Sequence, residues 1–414
     1  MGCAAETPAR RIIVAGAGYA GTTCGIRLAR GVRPEDSLDI LIVEPNPCQQ
    51  ALSELDLVAV GPNRPEFCEL WHPTLYRGLP VTVCYNRVAD VLPDSNEIVV
   101  EGGERVGYWR LVLATGAVAS TPPIPGLVEH ASTMWSVEDA RRLQRRSQAV
   151  LTAAARMADR TERRRTMSYT VVGGGATGVE IVGTLAQMLP KRVRDAGLDP
   201  SDLNVHLVEG RDDILFDLPE RERARAVRRL ERMGVEVITG AFVSRVEDGV
   251  VVLADGRRVD STVLVWAGGA KADPHASEWG LETSANGRVV VDESLRCVSH
   301  PNVYAIGDVA EARNPATGAP LMMLAQMAIQ EGPAAADNIL REARGEAVRP
   351  FKPHFRGEFV SVGPTWGVGW MYGVPLTGIP AITMKRITYV KYWLQVGGLR
   401  LAAKRTREML ALAR

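Results

Sequence analysis

The 414-residue sequence has six cysteines, and none of them falls in a C-x2-C, C-x4-C or other close pair. Cys3, Cys24, Cys48, Cys68, Cys84 and Cys297 therefore suggest neither a dithiol redox centre nor a thiolate metal site. The six histidines are equally scattered, so no bound metal is expected. Charge of one sign is lacking too: a formal net charge of +1 gives no overall pull toward nucleic acid or membrane. MGCAAETPARR at the start contains no apolar h-region, which argues against a secretory signal, and unpaired thiols fit a reducing cytoplasm. One charge-free run, VGPTWGVGWMYGVPLTGIPAITM at 362–384, is long enough to span a bilayer. Its three prolines and five glycines argue against a spanning helix, so turns and short strands are expected there.

What is present points to nucleotides. A hydrophobic content of 46% in 414 residues supports two or three domains, each with its own core. RIIVA at 11–15 runs into a glycine loop and a helical stretch, and LDILIVE follows: strand, loop, helix, strand. Gly16, Gly18 and Gly21 satisfy G-x-G-x-x-G, and Glu44 ends the next strand. Such glycines let backbone amides and a helix N-terminus approach a pyrophosphate, and the acid accepts hydrogen bonds from a ribose diol.

The pattern then restarts: Gly173, Gly175 and Gly178 lie in VVGGGATGVE, and Glu209 closes the following strand, NVHLVEG. An acid at that position repels a 2′-phosphate, which favours NADH over NADPH, with Arg211 nearby as the opposing signal. Two dinucleotide units in one chain imply two dinucleotides, a flavin that stays and a nicotinamide that visits. The arginine-crowded stretch between 134 and 165 has no aromatic interleaving and reads as a solvated helix face, so no nucleic-acid partner is expected.

Four motifs in order, VAGAGYAG, LVLATGA at 111–117, VVGGGATGVE and VYAIGDVA at 303–310, resemble the two-dinucleotide-domain flavoprotein superfamily of pyridine-nucleotide oxidoreductases. The resemblance covers residues 11 to about 345. It implies an α/β fold with two Rossmann-like domains: an FAD domain formed by 1–124 and 288–349, an NAD(P)H domain inserted at 125–287, and a small C-terminal α+β region over 350–414. It further implies that Gly16, Gly18 and Gly21 hold the FAD pyrophosphate, Glu44 the adenosine ribose and Val88 the adenine through its backbone. Thr115, Gly116, Gly307 and Ala325 would line the FAD site, with Asp308 on the ribityl chain. Gly173, Gly175, Gly178, Glu209 and Gly269 would hold NADH.

Among the branches, disulfide reductases need a C-x4-C pair where this chain has Cys48 and Ser53, and single-cysteine oxidases need a thiol where it has Glu54. The chain is most similar to type II NADH dehydrogenase, through GGGATGVE, WAGGAKA at 266–272 and AQMAIQ at 325–330, which matches that family's A-Q-x-x-x-Q. Gln326 and Gln330 are four apart and share a helix face, so both amides are expected to point at one site between flavin and quinone. Glu180 begins a helix approaching flavin and nicotinamide, where it would orient the carboxamide or relay a proton with a raised pKa. These three are the expected catalytic residues, and the implied reaction is hydride transfer from NADH with electrons passed to a quinone.

The chain departs from that family where an apolar, aromatic F-x-P-L-L-Y-like segment lines the flavin and quinone tunnel. CQQALSELDLVAVG stands there instead, which leaves open a soluble acceptor, a small metabolite or an electron-carrier protein, and also a non-catalytic redox sensor. At the C-terminus, Met384, Ile387, Val390, Leu394 and Leu401 project to one side of a helix, and Tyr389, Tyr392, Trp393 and Val396 cover much of the other. The residues from 384 onward carry a local net charge of +7. The aromatic face, with its basic neighbours within 384–407, is expected to meet either a membrane interface or the second subunit of a homodimer. A cytoplasmic protein, peripheral on the inner face of the membrane in the first case, is the corresponding localisation.

Overall fold

The structure, a computed structural model, describes residues 10–61 and 63–411; Cys3 and Arg414 lie outside them. The elements that position the site are, in chain order, β1 (Arg11–Ala15), α1 (Tyr19–Gly31), β2 (Asp39–Val43), a short α2 (Leu55–Ala59), β3 (Thr82–Cys84), β4 (Arg110–Leu113) and α3 (Val137–Ala154). Then come β5 (Ser168–Val172), α4 (Ala176–Asp195), β6 (Asn204–Val208), β7 (Val235–Ile238), β8 (Val263–Trp266), β9 (Val303–Ala305) and α5 (Ala325–Ala343). The chain ends with β10 (Gly357–Ser361), β11 (Gly367–Met371), β12 (Val374–Thr377) and α6 (Ile379–Ala411).

The chain divides into two compact units. The first takes the residues up to Gln50, Leu70–Val118 and Ala270–Phe355; the second takes Ala51–Glu69, Ala119–Gly269 and the chain from Arg356. Two segments group differently from the sequence reading: Ala51–Glu69, expected with the first loop, and the C-terminal region, expected to stand apart, both cluster with the second loop.

The first unit is built on a parallel sheet of order β9-β4-β1-β2-β3. RIIVA is buried at every position, as a β-branched run covered on both faces should be. Helices α1 and α5 pack so closely that a Cβ on Gly332 would lie 2.3 Å from Thr23 Oγ1 and 2.4 Å from the Ala20 carbonyl. Only glycine permits that approach.

The second unit repeats the plan: Ala131–Ser132 forms one edge and the order continues β8-β5-β6-β7, all parallel. SYTVV is again buried throughout. The arginine-rich stretch forms α3 and a second helix, Arg160–Thr166. Its guanidinium groups are largely taken up by protein: Arg160 and Arg163 grip the buried Asp202 at 2.7 Å each, and Arg141 reaches Glu69 at 3.1 Å.

The segment expected to hold turns and short strands forms the antiparallel sheet β10-β11-β12. It leads into α6, which breaks at Gly398, where φ is +67°, a conformation that costs glycine little. The face assignment of this helix needs correcting. Tyr392, Trp393 and Val396 are buried, whereas Ile387 and Leu394 are exposed. Trp393 meets Phe67 edge-to-face at 6.2 Å and Arg405 lies over the same Phe67 ring. Aromatic rings bury more area than the aliphatic stripe, so they take the inner side. Lys385 and Arg405, counted as basic surface, are buried as well. No helix among the described residues is long and apolar enough to cross a membrane.

Candidate functional site

Both glycine loops follow the central strand of a parallel sheet and end in a helix, β1 into α1 and β5 into α4, and they share their main hydrogen bond and turn. Gly16 N donates to the Val43 carbonyl at 2.8 Å and Gly173 N to that of Val208 at 2.8 Å. Both turn with positive φ, +98° and +115°. The glycines serve different ends. A Cβ on Gly21 would lie 2.0 Å from the Gly16 carbonyl, and one on Gly178 would lie 1.8 Å from that of Gly173, so these two are fixed by the fold itself. Gly18 and Gly175 have ordinary φ values and nothing within 4 Å of their Cβ positions. Open space at a glycine the backbone does not require is what a closely approaching ligand leaves behind. Neither α1 nor α4 has a side-chain cap or an acid in its first turn, and the positive end of a helix dipole favours an anion there.

The two acids match as well. Glu44 accepts from Ala17 N at 2.8 Å and from the Asn46 backbone and amide nitrogens. Glu209 accepts from Gly174 N at 2.5 Å and from Arg211 N at 2.8 Å. The Arg211 guanidinium lies over the Phe216 ring, 5.0 Å from its centroid, and makes no ion pair with Glu209 among the described residues.

Gly16, Glu44, Thr115 and Gly307 each stand just beyond the carboxyl end of a strand in the first sheet, where ligands of open α/β sheets bind. The Gly16 Cβ position is 3.2 Å from Thr115 Cα, and that of Gly307 is 3.1 Å from Ala20 Cβ and 3.7 Å from Ala328 Cβ. Gly116 turns with φ +77° and open space beside it. Two buried polar atoms nearby, Thr115 Oγ1 and Arg288 Nε, have no hydrogen-bond partner among the described residues. Arg288 acts against the effect of burial on Asp308, whose pKa is raised. Gly307 N donates to Glu331 Oε2, a carboxyl that burial pushes up to about 7. Val88 opens the strand Val88–Leu92 and Ala325 opens α5. Open space at Gly18, an uncapped helix N-terminus and orphaned polar atoms suit an elongated, polar, phosphate-bearing ligand, and FAD fits them.

The second unit gathers Gly173, Gly175, Gly178, Glu209 and Gly269, the last at φ +121° with its carbonyl accepting from Ser120 N at 2.9 Å. It also gathers a carboxylate cluster. Glu180, on α4, accepts from Ser361 N at 3.0 Å and from Lys385 Nζ, both on Oε1. Lys385 also donates to Ser361 Oγ at 3.1 Å. Burial, with Glu180 close by, pushes Asp56 up to about 6, and burial pushes Glu54 up to about 8 and Glu358 up to about 7.

Gln330 departs from expectation. Its amide donates to the carbonyls of Gln326 and His354 and accepts from His354 N at 3.0 Å. It fastens residue 354 to α5 rather than pointing beside Gln326 at a shared ligand. Gln326, at the first turn of α5, is half-buried. Sequence reasoning missed Lys385 and Glu358, which carry no local motif, and Glu331, whose one signal is its place directly after AQMAIQ. No group of histidine, cysteine and acidic residues among the described ones could hold a metal.

The chain is 28% identical over 402 residues to the type II NADH:quinone oxidoreductase of Staphylococcus aureus, covering 96% of this chain and 98% of that one. Its fold matches the Plasmodium falciparum NDH2 solved with NADH at a TM-score of 0.84, with 16% identity and 98% of each chain covered. It also matches the sulfide:quinone oxidoreductase of Aquifex aeolicus at 0.76, with 17% identity over 94% of this chain and 92% of that one. At those identities the two structural likenesses speak for the fold alone. The sequence pattern of one enzyme family, the pyridine nucleotide-disulphide oxidoreductases, runs from residue 10 to residue 332; that span takes in both loops and both acids, and the chain belongs to that family.

Proposed function

We propose that this enzyme is an FAD-dependent oxidoreductase that takes a hydride from NADH and passes electrons to a quinone. The observation that carries the proposal is the duplicated loop: each parallel sheet ends in its own pyrophosphate cradle with its own ribose-reading acid, and a chain with two such sites handles two dinucleotides. Full-length relationship to a type II NADH:quinone oxidoreductase supports the quinone as acceptor. Bound in the first unit, FAD would supply a ring that accepts a hydride and releases electrons one or two at a time.

The residues do the holding. The amide of Gly18 and the N-terminus of α1 would hold the FAD pyrophosphate, Glu44 the ribose, Val88 the adenine, and Asp308 the ribityl hydroxyls. Thr115, Gly116, Gly307, Ala325 and Gln326 border the remainder. Gly173, Gly175, Gly178 and Gly269 receive NADH, with Glu209 on its adenosine ribose and Glu180 at the nicotinamide end. In this assignment the first unit is the FAD domain and the second the NADH domain. The exposed Ile387 and Leu394 of α6, in place of its buried aromatics, form the surface that meets a membrane or a second copy.

A second reading keeps both nucleotides and replaces the quinone with a soluble, polar acceptor. It is favoured by the buried acids Glu54 and Asp56, which stand where the resembled type II enzymes are apolar.

The test is anaerobic. NADH should bleach the flavin, and a menaquinone or ubiquinone analogue should restore its colour; bleaching without quinone-driven reoxidation discards the quinone. Gln326→Ala should slow reoxidation about tenfold and reduction much less, and an equal loss in both half-reactions would contradict its place on the acceptor side. Cofactor choice gives a third expected outcome: Glu209→Ala removes the charge facing a 2′-phosphate, and the NADPH:NADH ratio of kcat/KM should rise roughly tenfold or more. An unchanged ratio would mean that Glu209 does not read the ribose.

A further inference from the structure

In the second unit a cavity of about 40 Å³ lies between α2 and the first turn of α4, bordered by Ser53, Asp56, Met134, Thr177 and Glu180. That is room for water, and the walls are polar enough to hold it. Asp56 is buried, and its Oδ2 accepts from Thr184 Oγ1 at 2.7 Å, on the turn of α4 after Glu180. On the other wall, both donors that Glu180 meets sit on Oε1. Two residues before Asp56 in the chain, Glu54 keeps a buried Oε2 with no partner among the described residues.

We propose that Asp56 is a second proton-handling residue of this enzyme, facing Glu180 across a water-sized cavity and supplying through it the proton consumed when a two-electron acceptor is reduced. The inference rests on the NADH-oxidising reading above. The balance is NADH + H⁺ + acceptor → NAD⁺ + dihydro-acceptor. The electron pair and one hydrogen leave the C4–H bond of NADH. The second hydrogen comes from the O–H bond of protonated Asp56, whose electrons stay on the carboxylate, and solvent returns the proton afterwards.

The electrostatics favour a held proton. The charged groups acting on Asp56 are Glu180 from α4 and Lys385 from α6. On its own segment Glu54 faces Asp56, Arg405 and Lys385. Arg405 already donates to the carbonyls of Glu66 and Glu69, and from α3 Arg141 is paired with Glu69. Beyond Glu180 stand Glu358 and Asp217. One lysine thus serves four neighbouring acids, Glu54, Asp56, Glu180 and Glu358, and a buried cluster with too few cations holds protons to higher pH than free carboxyls do.

Two measurements test this. In flavin-loaded resting protein without NADH, infrared spectroscopy should reveal a protonated-carboxyl band that titrates in the neutral-to-acid range and disappears in Asp56→Asn. In stopped flow, the wild-type acceptor half-reaction should slow as pH rises through the same titration. Asp56→Asn should slow that half-reaction about tenfold, at least five times more than it slows flavin reduction by NADH, and flatten its pH profile, whereas Asp56→Glu should keep a pH-dependent profile. Thr184→Val, which removes only a hydrogen bond to the carboxylate, should move band and profile together to higher pH. A profile unchanged in Asp56→Asn, or a band that survives it, overturns the proposal. Absence of NADH oxidation in the wild type with the band intact sinks the functional reading and Asp56's role in it, while intact oxidation without the band sinks the Asp56 assignment alone.

Discussion

Gly175→Asp should yield a yellow, folded protein that NADH no longer reduces, and Gly18→Asp should yield a folded protein without colour. The difference follows from what each glycine faces. At Gly18 and Gly175 a Cβ meets no atom within 4 Å, and φ is −70° at both, so the chain tolerates a side chain there. A carboxylate in that space occupies the path of a diphosphate and repels it. The expected loss in affinity for the nucleotide is at least 100-fold, about 2.7 kcal/mol. Gly21→Ala and Gly178→Ala supply the contrast, since their Cβ atoms would stand 2.0 and 1.8 Å from carbonyl oxygens of the same loop. These should lower the unfolding midpoint and reduce the yield of folded protein. Flavin absorbance on purification, NADH titration by fluorescence and thermal unfolding separate the outcomes. Gly18→Asp protein that is fully yellow and reduced by NADH at the normal rate would refute the assignment of the first cradle to FAD.

Those glycines explain why so much could be read from the sequence. A turn with φ near +100° and a contact shorter than any Cβ allows are local demands, and the chain answers them with glycine at fixed spacing. The same holds for Glu44 and Glu209, each one residue beyond a strand whose partners are fixed by the βαβ unit. The pairing of Lys385 with Glu180 is of another kind: the two lie 205 residues apart, and nothing around MKRITY marks its lysine as internal. Helical projection of 384–401 correctly finds two apolar faces on α6. It cannot rank them, because the ranking depends on Phe67, far away in the chain, offering an aromatic ring to Trp393. Gln330 illustrates the same limit within one helix. The four-residue spacing puts it on the Gln326 face, yet the backbone of His354, 24 residues on, captures its amide. The departure of ALSELD from the resembled family is visible in the sequence as polarity. What that polarity does becomes clear only when α4 and α6 bring Thr184, Glu180 and Lys385 to it.

Lys385→Met should therefore damage the protein, and do so in a pH-dependent way. The lysine is 9% exposed, and its ammonium contacts both Glu180 and Ser361. Its charge also lowers the pKa values of Glu54, Asp56 and Glu358, all of which burial raises. A carboxyl whose folded pKa lies above its unfolded value binds its proton more tightly when folded. Its contribution is present below the unfolded pKa and is lost as pH rises through the folded one. For these three acids the window runs from about pH 4 to between 6 and 8. Removing the cation deepens the decline across it, since each acid must then ionise beside the others with one less counter-charge. At pH 8 the variant should lose roughly 3 kcal/mol or more, the scale for breaking a buried ion pair by deleting one partner. At pH 5, with the cluster largely protonated, the loss should shrink to about 1 kcal/mol. Urea-unfolding midpoints of Lys385→Met and wild type at the two pH values measure both figures. Lys385→Arg, which keeps the charge, should recover the pH 8 stability in part. An equal loss at pH 5 and pH 8 would mean that Lys385 acts through packing alone, and that the three acids do not answer to its charge.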